Sequence, residues 1–284
     1  MSYNELPEGT ISYQGGRTTM DLGLKGKVAL VTGGSKGIGR ASAEMLAQEG
    51  AHVAIVARGK PLAEQVAAEI ARGTGVKTLA LVGDMSKGED ANRVVRQTHE
   101  HFGRIDILVN CAGSSPGGSI ELLREEHWME SLDLKFMGYV RTCTAVTPIM
   151  KKQKSGRIIN VIGNDGIKPI YFELTPGAAN AAGINFTQAI AEDLGRHGIL
   201  VNCINPGPVD TERWWGLVRT LARERNISEQ AANALAVKSI PLGRLCTPQE
   251  VAFLVAMLAA DKASFVNGAC ITIDGGQRKA IMDA

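Results

Sequence analysis

The sequence has no strong excess of either charge. Lys and Arg number 31 against 29 Asp and Glu, a formal net charge of +2, which gives no field suited to nucleic acid or an anionic membrane. It also lacks any CxxC pair. The five cysteines, at 111, 143, 203, 246 and 270, stand apart, and three sit in the strand-like runs LVNCAG, ILVNCIN and ACITI, where Cys behaves as a small hydrophobe. Free thiols in a reducing, cytoplasmic setting are the simplest expectation. No metal site is expected either, because His99 and His101, two apart on a helical pattern, do not share a face. The first 22 residues are polar and Gly-rich, with no basic start followed by an apolar run. They are expected to be neither signal nor anchor but a flexible arm over 1–23, suited to clasp a neighbouring subunit. No repeat, low-complexity tract or Pro/Ser-rich linker divides the rest, so one domain is expected over 24–284.

What the chain does contain is alternation. Short apolar runs, KVALVTG, AHVAIVAR, KTLALVGD, DILVNCAG, GRIINVIG, ILVNCINPG and ACITIDGG, are separated by longer helical patterns that mostly end at Gly. The runs are continuous rather than alternating in polarity, as strands buried on both faces of a parallel sheet require. The expected fold is therefore α/β: a Rossmann-like, doubly wound parallel sheet of about seven strands with helices on both faces. The longest departure is a helical, Trp-containing excursion over 210–245, the natural place for a substrate lid.

The run LVTGGSKGIGR follows the first strand and opens a helix, with Gly33, Gly37 and Gly39 in the spacing TGxxxGxG. Bare backbone there lets a pyrophosphate approach the free N–H groups of a helix N-terminus. Here the chain resembles the short-chain dehydrogenase/reductase superfamily, over nearly everything from about Leu24 to Gly276. TGGSKGIG, which includes Ser35, Lys36 and Ile38, is similar to the family's pyrophosphate loop. GDMS resembles the segment whose acid, here Asp84 beside Met85, contacts the adenine. NCAG, with Asn110, Ala112 and Gly113, looks like the strand end that floors the cofactor site, and NPGPVDT, with Pro206, Gly207, Val209 and Thr211, like the nicotinamide loop. The resemblance implies an oxidoreductase moving a hydride between a nicotinamide and a carbonyl or alcohol carbon of a small molecule, in a homotetramer. The apolar EVAFLVAMLAA and ACITI are suited to an interface. Charge separates the cofactors: after AHVAIV the place for a ribose-binding acid holds Ala57, followed by Arg58, and Lys36 adds a second cation, so NADP(H) is favoured over NAD(H).

The family's catalytic serine, tyrosine, lysine and asparagine all look substituted. In register, Gly163 stands for the serine, Pro176 for the tyrosine, Asn180 for the lysine and Lys135 for the asparagine. Lys135 and Asn180 read as an exchange that keeps one cation and one amide in the pocket; alternatively, Lys135 turns outward and Asn180 caps its helix. A new proton donor is needed, since proline has no titratable proton. Tyr171 is the most economical substitute, its phenol beside Lys135 repeating the usual arrangement, unless it is an ordinary half-buried aromatic. Asn164 offers an amide to a carbonyl, whereas Asp165 or Glu173 would need burial to donate near neutral pH. Trp214 and Trp215 would wall a bulky substrate or bury against a subunit. Two functional classes follow: an NADP(H)-dependent oxidoreductase with an atypical site built on Lys135, Asn180, Tyr171 and Asn164, or a catalytically silent NADP(H)-binding sensor or scaffold subunit.

Overall fold

The computed structural model describes residues 21–277; the arm expected over 1–23 lies, but for its last three residues, outside them. Seven strands form one all-parallel sheet: β1 (Val28–Thr32), β2 (His52–Ala57), β3 (Thr78–Val82), β4 (Ile107–Asn110), β5 (Gly156–Val161), β6 (Ile199–Pro206) and β7 (Cys270–Ile273), in the order β3-β2-β1-β4-β5-β6-β7. The continuous apolar runs mark the inner strands. Every residue of β1 and β4 is buried, whereas the edge strands β3 and β7 are mostly half-exposed.

Helices α1 (Gly37–Gln48), α2 (Lys60–Thr74) and α9 (Pro248–Ala259) pack on one face of the sheet. On the other lie α3 (Gly88–Phe102), α5 (Gly138–Gln153) and α6 (Leu174–Gly195). On α3, Ala91, Val94, Val95 and Thr98 are buried, the i, i+3, i+4, i+7 stripe of an amphipathic helix. The chain reverses direction across the sheet between β1 and β4, which opens a crevice beyond their carboxyl ends.

Two features shape what lies over that crevice. The short α4 (Glu125–Ser131) does not run straight into α5; a π-helical turn, Leu132–Met137, intervenes and rotates Lys135 inward. The excursion over 210–245 folds as α7 (Glu212–Arg225) and α8 (Glu229–Lys238), which bury Val218, Leu221, Ala222 and Ala232 against Phe172 in a small cluster of their own. Pro176 falls in the first turn of α6, where no intrahelical N–H is needed. Among the described residues, no helix is long and apolar enough to cross a membrane.

Candidate functional site

A groove of about 520 Å³ runs over the crevice between β1 and β4. Gly33, Ser35, Lys36, Gly37, Ile38, Gly39, Arg58, Asp84, Met85, Ala112, Gly113 and Thr211 line it. Its shape comes from the backbone. Gly33 has φ +67°, and a Cβ there would stand 2.9 Å from the backbone of Ala112; at Gly39 it would stand 2.2 Å from the Gly33 carbonyl oxygen. Thr32 Oγ1 accepts from the amides of Cys111 (3.1 Å) and Ala112 (3.3 Å), which ties the end of β4 to the loop after β1. No side chain caps the N-terminus of α1. A bare glycine cradle beneath uncapped helix amides fits the diphosphate of a dinucleotide.

Not every expected cofactor residue borders the groove. Asn110 lies beneath it, fully buried, donating to Asn160 Oδ1 (3.0 Å) and accepting from Thr142 Oγ1 (2.7 Å), and so it braces β4 against β5 and α5. Pro206, Gly207 and Val209 border a second cavity instead. Lys36 ion-pairs with Glu212 at 2.7 Å, from the start of α1 to the start of α7. Asp84 accepts from the amide (3.0 Å) and hydroxyl (2.8 Å) of Ser86.

That second cavity, about 160 Å³, sits beyond the ends of β5 and β6 under α7 and α8. Its outer walls are apolar: Ile38, Ile162, Phe172, Trp214, Leu217, Val218 and Leu221. Its polar lining includes Lys135, Asn164, Asp165, Lys168, Glu173, Asn180 and Arg213. Lys135 is only 8% exposed, and its stem lies over the bare backbone of Gly113, where a Cβ would come within 3.1 Å of it. Thr211, Ile38 and Arg213 border both groove and cavity, so the two are contiguous.

The side chains inside are strongly tuned. Burial pulls the Lys135 ammonium down to about 8; Asp165 opposes the shift, and Arg213 adds to it. Glu173 is half-buried in the lining of the cavity, and burial pushes its carboxyl up to about 7, with Asp165 adding to the shift and Arg213 and Lys135 opposing it. Asp165, 7% exposed, accepts a hydrogen bond from Asn180 Nδ2, itself 2% exposed. That bond fills the space above Gly163, where an added Cβ would stand 2.5 Å from both Asn180 Nδ2 and Asp165 Oδ1.

The structure therefore brings Lys135, Asn164 and Asn180 to one cavity, but not Tyr171. Tyr171 is 38% exposed, and its hydroxyl accepts from Arg225 Nη2 at 3.1 Å, outside the cavity. The cause is local. Gly118 donates its amide to the Phe172 carbonyl (2.9 Å), and the segment turns Phe172 inward, which sends its neighbour Tyr171 out. Asn164 is also less available than expected, since its amide already donates to Gln277 Oε1 (2.7 Å) and Asp274 Oδ2 (3.3 Å). Of the two tryptophans, Trp214 walls the cavity and donates to Asn233 (2.9 Å), whereas Trp215 donates to Asp210 (2.9 Å) outside it. Arg213 escaped sequence reasoning because no residue pattern marks a first-turn arginine on α7 as facing inward.

Residues 27–222 match the short chain dehydrogenase family. Among curated relatives, the 3-oxoacyl-[acyl-carrier-protein] reductase FabG of Chlamydia muridarum is 32% identical over 253 residues, covering 89% of this chain and 98% of the relative. The NADPH-dependent reductase BacG of Bacillus subtilis is 32% identical over 259 residues, covering 90% and 99%. Among solved structures, L-sorbose reductase from Gluconobacter frateurii, complexed with NADPH and L-sorbose, superposes with a TM-score of 0.86 at 32% identity, covering 92% of this chain and 100% of that one. The chain belongs to the short chain dehydrogenase family of NAD(P)-dependent oxidoreductases.

Proposed function

We propose that the protein is an NADP(H)-dependent oxidoreductase that acts on a bulky, largely apolar carbonyl or alcohol substrate through an atypical site centred on Lys135. The observation that carries this reading is the placement of Lys135: a buried ammonium at the polar end of an apolar cavity, next to the groove whose glycine cradle fits a dinucleotide. NADP(H) is favoured by Arg58 beside the groove, by Lys36, and by Ala57 where a ribose-binding acid would stand. BacG is named as NADPH-dependent and the sorbose reductase was solved with NADPH, in keeping with that choice.

NADPH, when bound, supplies the hydride. The chain's own residues manage the proton and the charge. Lys135, with its ammonium drawn down to about 8, is suited to hydrogen-bond a substrate carbonyl and pass it a proton near neutral pH. Asn180 acts through Asp165, holding that carboxylate in the space a side chain at residue 163 would otherwise take. It is a positioning residue, and the pairing relates the glycine at 163 to the asparagine at 180 as one rearrangement. Helices α7 and α8 cover the substrate as a lid, with Trp214 as an apolar wall. The same reading takes the protein as a cytoplasmic homo-oligomer, supported by Phe253 and Met257 exposed on α9 and by Phe265 beyond it.

Single-turnover oxidation of bound NADPH with a panel of bulky ketones, quinones and imines tests the proposal. Lys135→Met is expected to slow oxidation by about 10²-fold or more while NADPH binding, followed by its fluorescence, is unchanged. Tight NADPH binding with no oxidation by any panel member would instead favour a silent cofactor-sensing subunit.

A further inference from the structure

Reduction of a carbonyl consumes one hydride and one proton, and Lys135 accounts for that proton. The cavity nevertheless holds a second titratable group that this chemistry does not use. Of its two carboxyls, Asp165 is tied to Asn180, whereas Glu173 makes no ion pair within 4.0 Å and no side-chain hydrogen bond among the described residues. A half-buried carboxyl that lines a largely apolar cavity with no fixed partner is free to meet a ligand there, and its raised value fits it to take up a proton near neutral pH. An ammonium and an unpaired carboxyl lining one cavity are the two groups that proton abstraction beside a carbonyl requires: an electrophile for the oxygen and a base for the carbon.

We propose that Glu173 and Lys135 form an acid–base pair that enolises a bound ketone, exchanging the hydrogen on the carbon next to the carbonyl without any hydride transfer. The inference rests on the preceding reading that the cavity takes carbonyl compounds. A Glu173 carboxylate oxygen takes the α-hydrogen as a proton. The C–H electron pair becomes the carbon–carbon double bond, the carbonyl π pair moves to oxygen, and Lys135 Nζ donates a proton to that oxygen. Reversal from a Glu173 that has exchanged its proton with solvent returns the ketone with a solvent hydrogen at the α-carbon, and nothing is oxidised or reduced. The substrate class is thereby narrowed to ketones carrying at least one α-hydrogen, and a ketone branched at that carbon would be converted between its two α-epimers.

The pH dependence follows from the groups facing the pair: Asp165 in the turn after β5, Arg213 on α7, and Cys111 after β4. The Cys111 thiol, pushed up to about 12 by burial, stays neutral throughout. The base must be ionised, so exchange rises with pH through about 7, the Glu173 value. The acid must be protonated, so it falls through about 8, the Lys135 value. A narrow bell between the two is expected.

The test uses the protein loaded with NADP⁺, which has no hydride to give, in D₂O with 4-phenyl-2-butanone. Binding is followed by saturation-transfer NMR and α-hydrogen loss by proton NMR. Exchange about ten-fold or more above the buffer rate is expected, removing one of the two prochiral hydrogens at the substituted α-carbon in preference to the other. Glu173→Gln should return the rate to background with NADP⁺ affinity retained, and Glu173→Asp should keep a measurable part of it, which a merely structural role would not produce. Exchange without NADPH oxidation by the same ketone would support this inference and sink the redox reading. NADPH oxidation without exchange would do the reverse. A ketone that does not bind, or exchange unchanged in Glu173→Gln, overturns the proposal.

Discussion

The groove over β1 and β4 and the cavity over β5 and β6 adjoin each other beneath α7, but they are built by different means. The cradle of the groove is backbone: a glycine at φ +67° and an uncapped helix end, held in place by a threonine hydroxyl that accepts from two amides. Most of those parts lie within about a dozen residues of chain, and each is dictated by local geometry. In the cavity the surface is side chain, contributed by the π-helical turn before α5, the turn after β5, the segment before α6, α6 itself and α7. A backbone site tolerates almost no change of residue, whereas a side-chain site can be rebuilt by moving a charge from one segment to another.

The largest effect expected from that contrast is in the groove. Gly39→Ala would place a methyl group 2.2 Å from the Gly33 carbonyl oxygen, and neither atom belongs to a flexible side chain. The loop has to move, at a cost of about 1–3 kcal/mol, and the cradle it forms moves with it. NADPH affinity, measured by fluorescence titration, should fall by roughly ten- to hundred-fold. Unchanged affinity would mean that the cofactor is not held by this loop.

In the cavity, the corresponding substitution should be correctable by a second one. Gly163→Ser places a side chain 2.5 Å from both Asn180 Nδ2 and Asp165 Oδ1, so the buried hydrogen bond between them has to open. The expected loss is about 1–3 kcal/mol of stability, read as a lowered midpoint in urea. The Asp165→Ala background removes one of the two contacts and releases Asn180 from its hydrogen bond, so that its amide is able to turn away from the added serine, and the same substitution should cost clearly less. That non-additivity is the signature of a shared space. Additive costs would show that Gly163, Asp165 and Asn180 are not one unit, and the proposed rearrangement would lose its main support.

The same division sets how much was legible in the sequence. The seven strands, the single sheet and the glycine loop follow from periodicity and spacing, because buried parallel strands and a backbone anion cradle each demand particular residues at fixed offsets. The cavity was legible only in outline. Lys135 and Asn180 could be named as candidates, but Tyr171 was expected beside Lys135 because nothing local announces the Gly118–Phe172 hydrogen bond that turns Phe172 in and Tyr171 out. Glu173 needs burial to work near neutral pH, and no local pattern announces it. Burial is a sum over segments far apart in the chain, so a single stretch of sequence does not carry it. Phe172, Val218, Leu221 and Ala232 supply the apolar cover of that region from three separate segments.

The smallest effect expected lies where the two regions meet. Lys36, at the start of α1, pairs with Glu212, at the start of α7, in a contact open to solvent on both sides, with side chains 63% and 74% exposed. An exposed pair of this kind is weak and salt-sensitive. It also places a carboxylate beside the cation that NADPH's 2′-phosphate is proposed to meet, so Glu212 competes with the phosphate for Lys36. Glu212→Gln should therefore raise NADPH affinity by about two- to five-fold at low salt and leave NADH affinity nearly unchanged. The gain should fade toward 1 M salt as screening shortens the reach of both charges. A loss of NADPH affinity instead would mean that Glu212 holds Lys36 in its phosphate-binding position. An equal gain for both cofactors would place the 2′-phosphate elsewhere, with Arg58, at the end of β2, among the other cations bordering the groove.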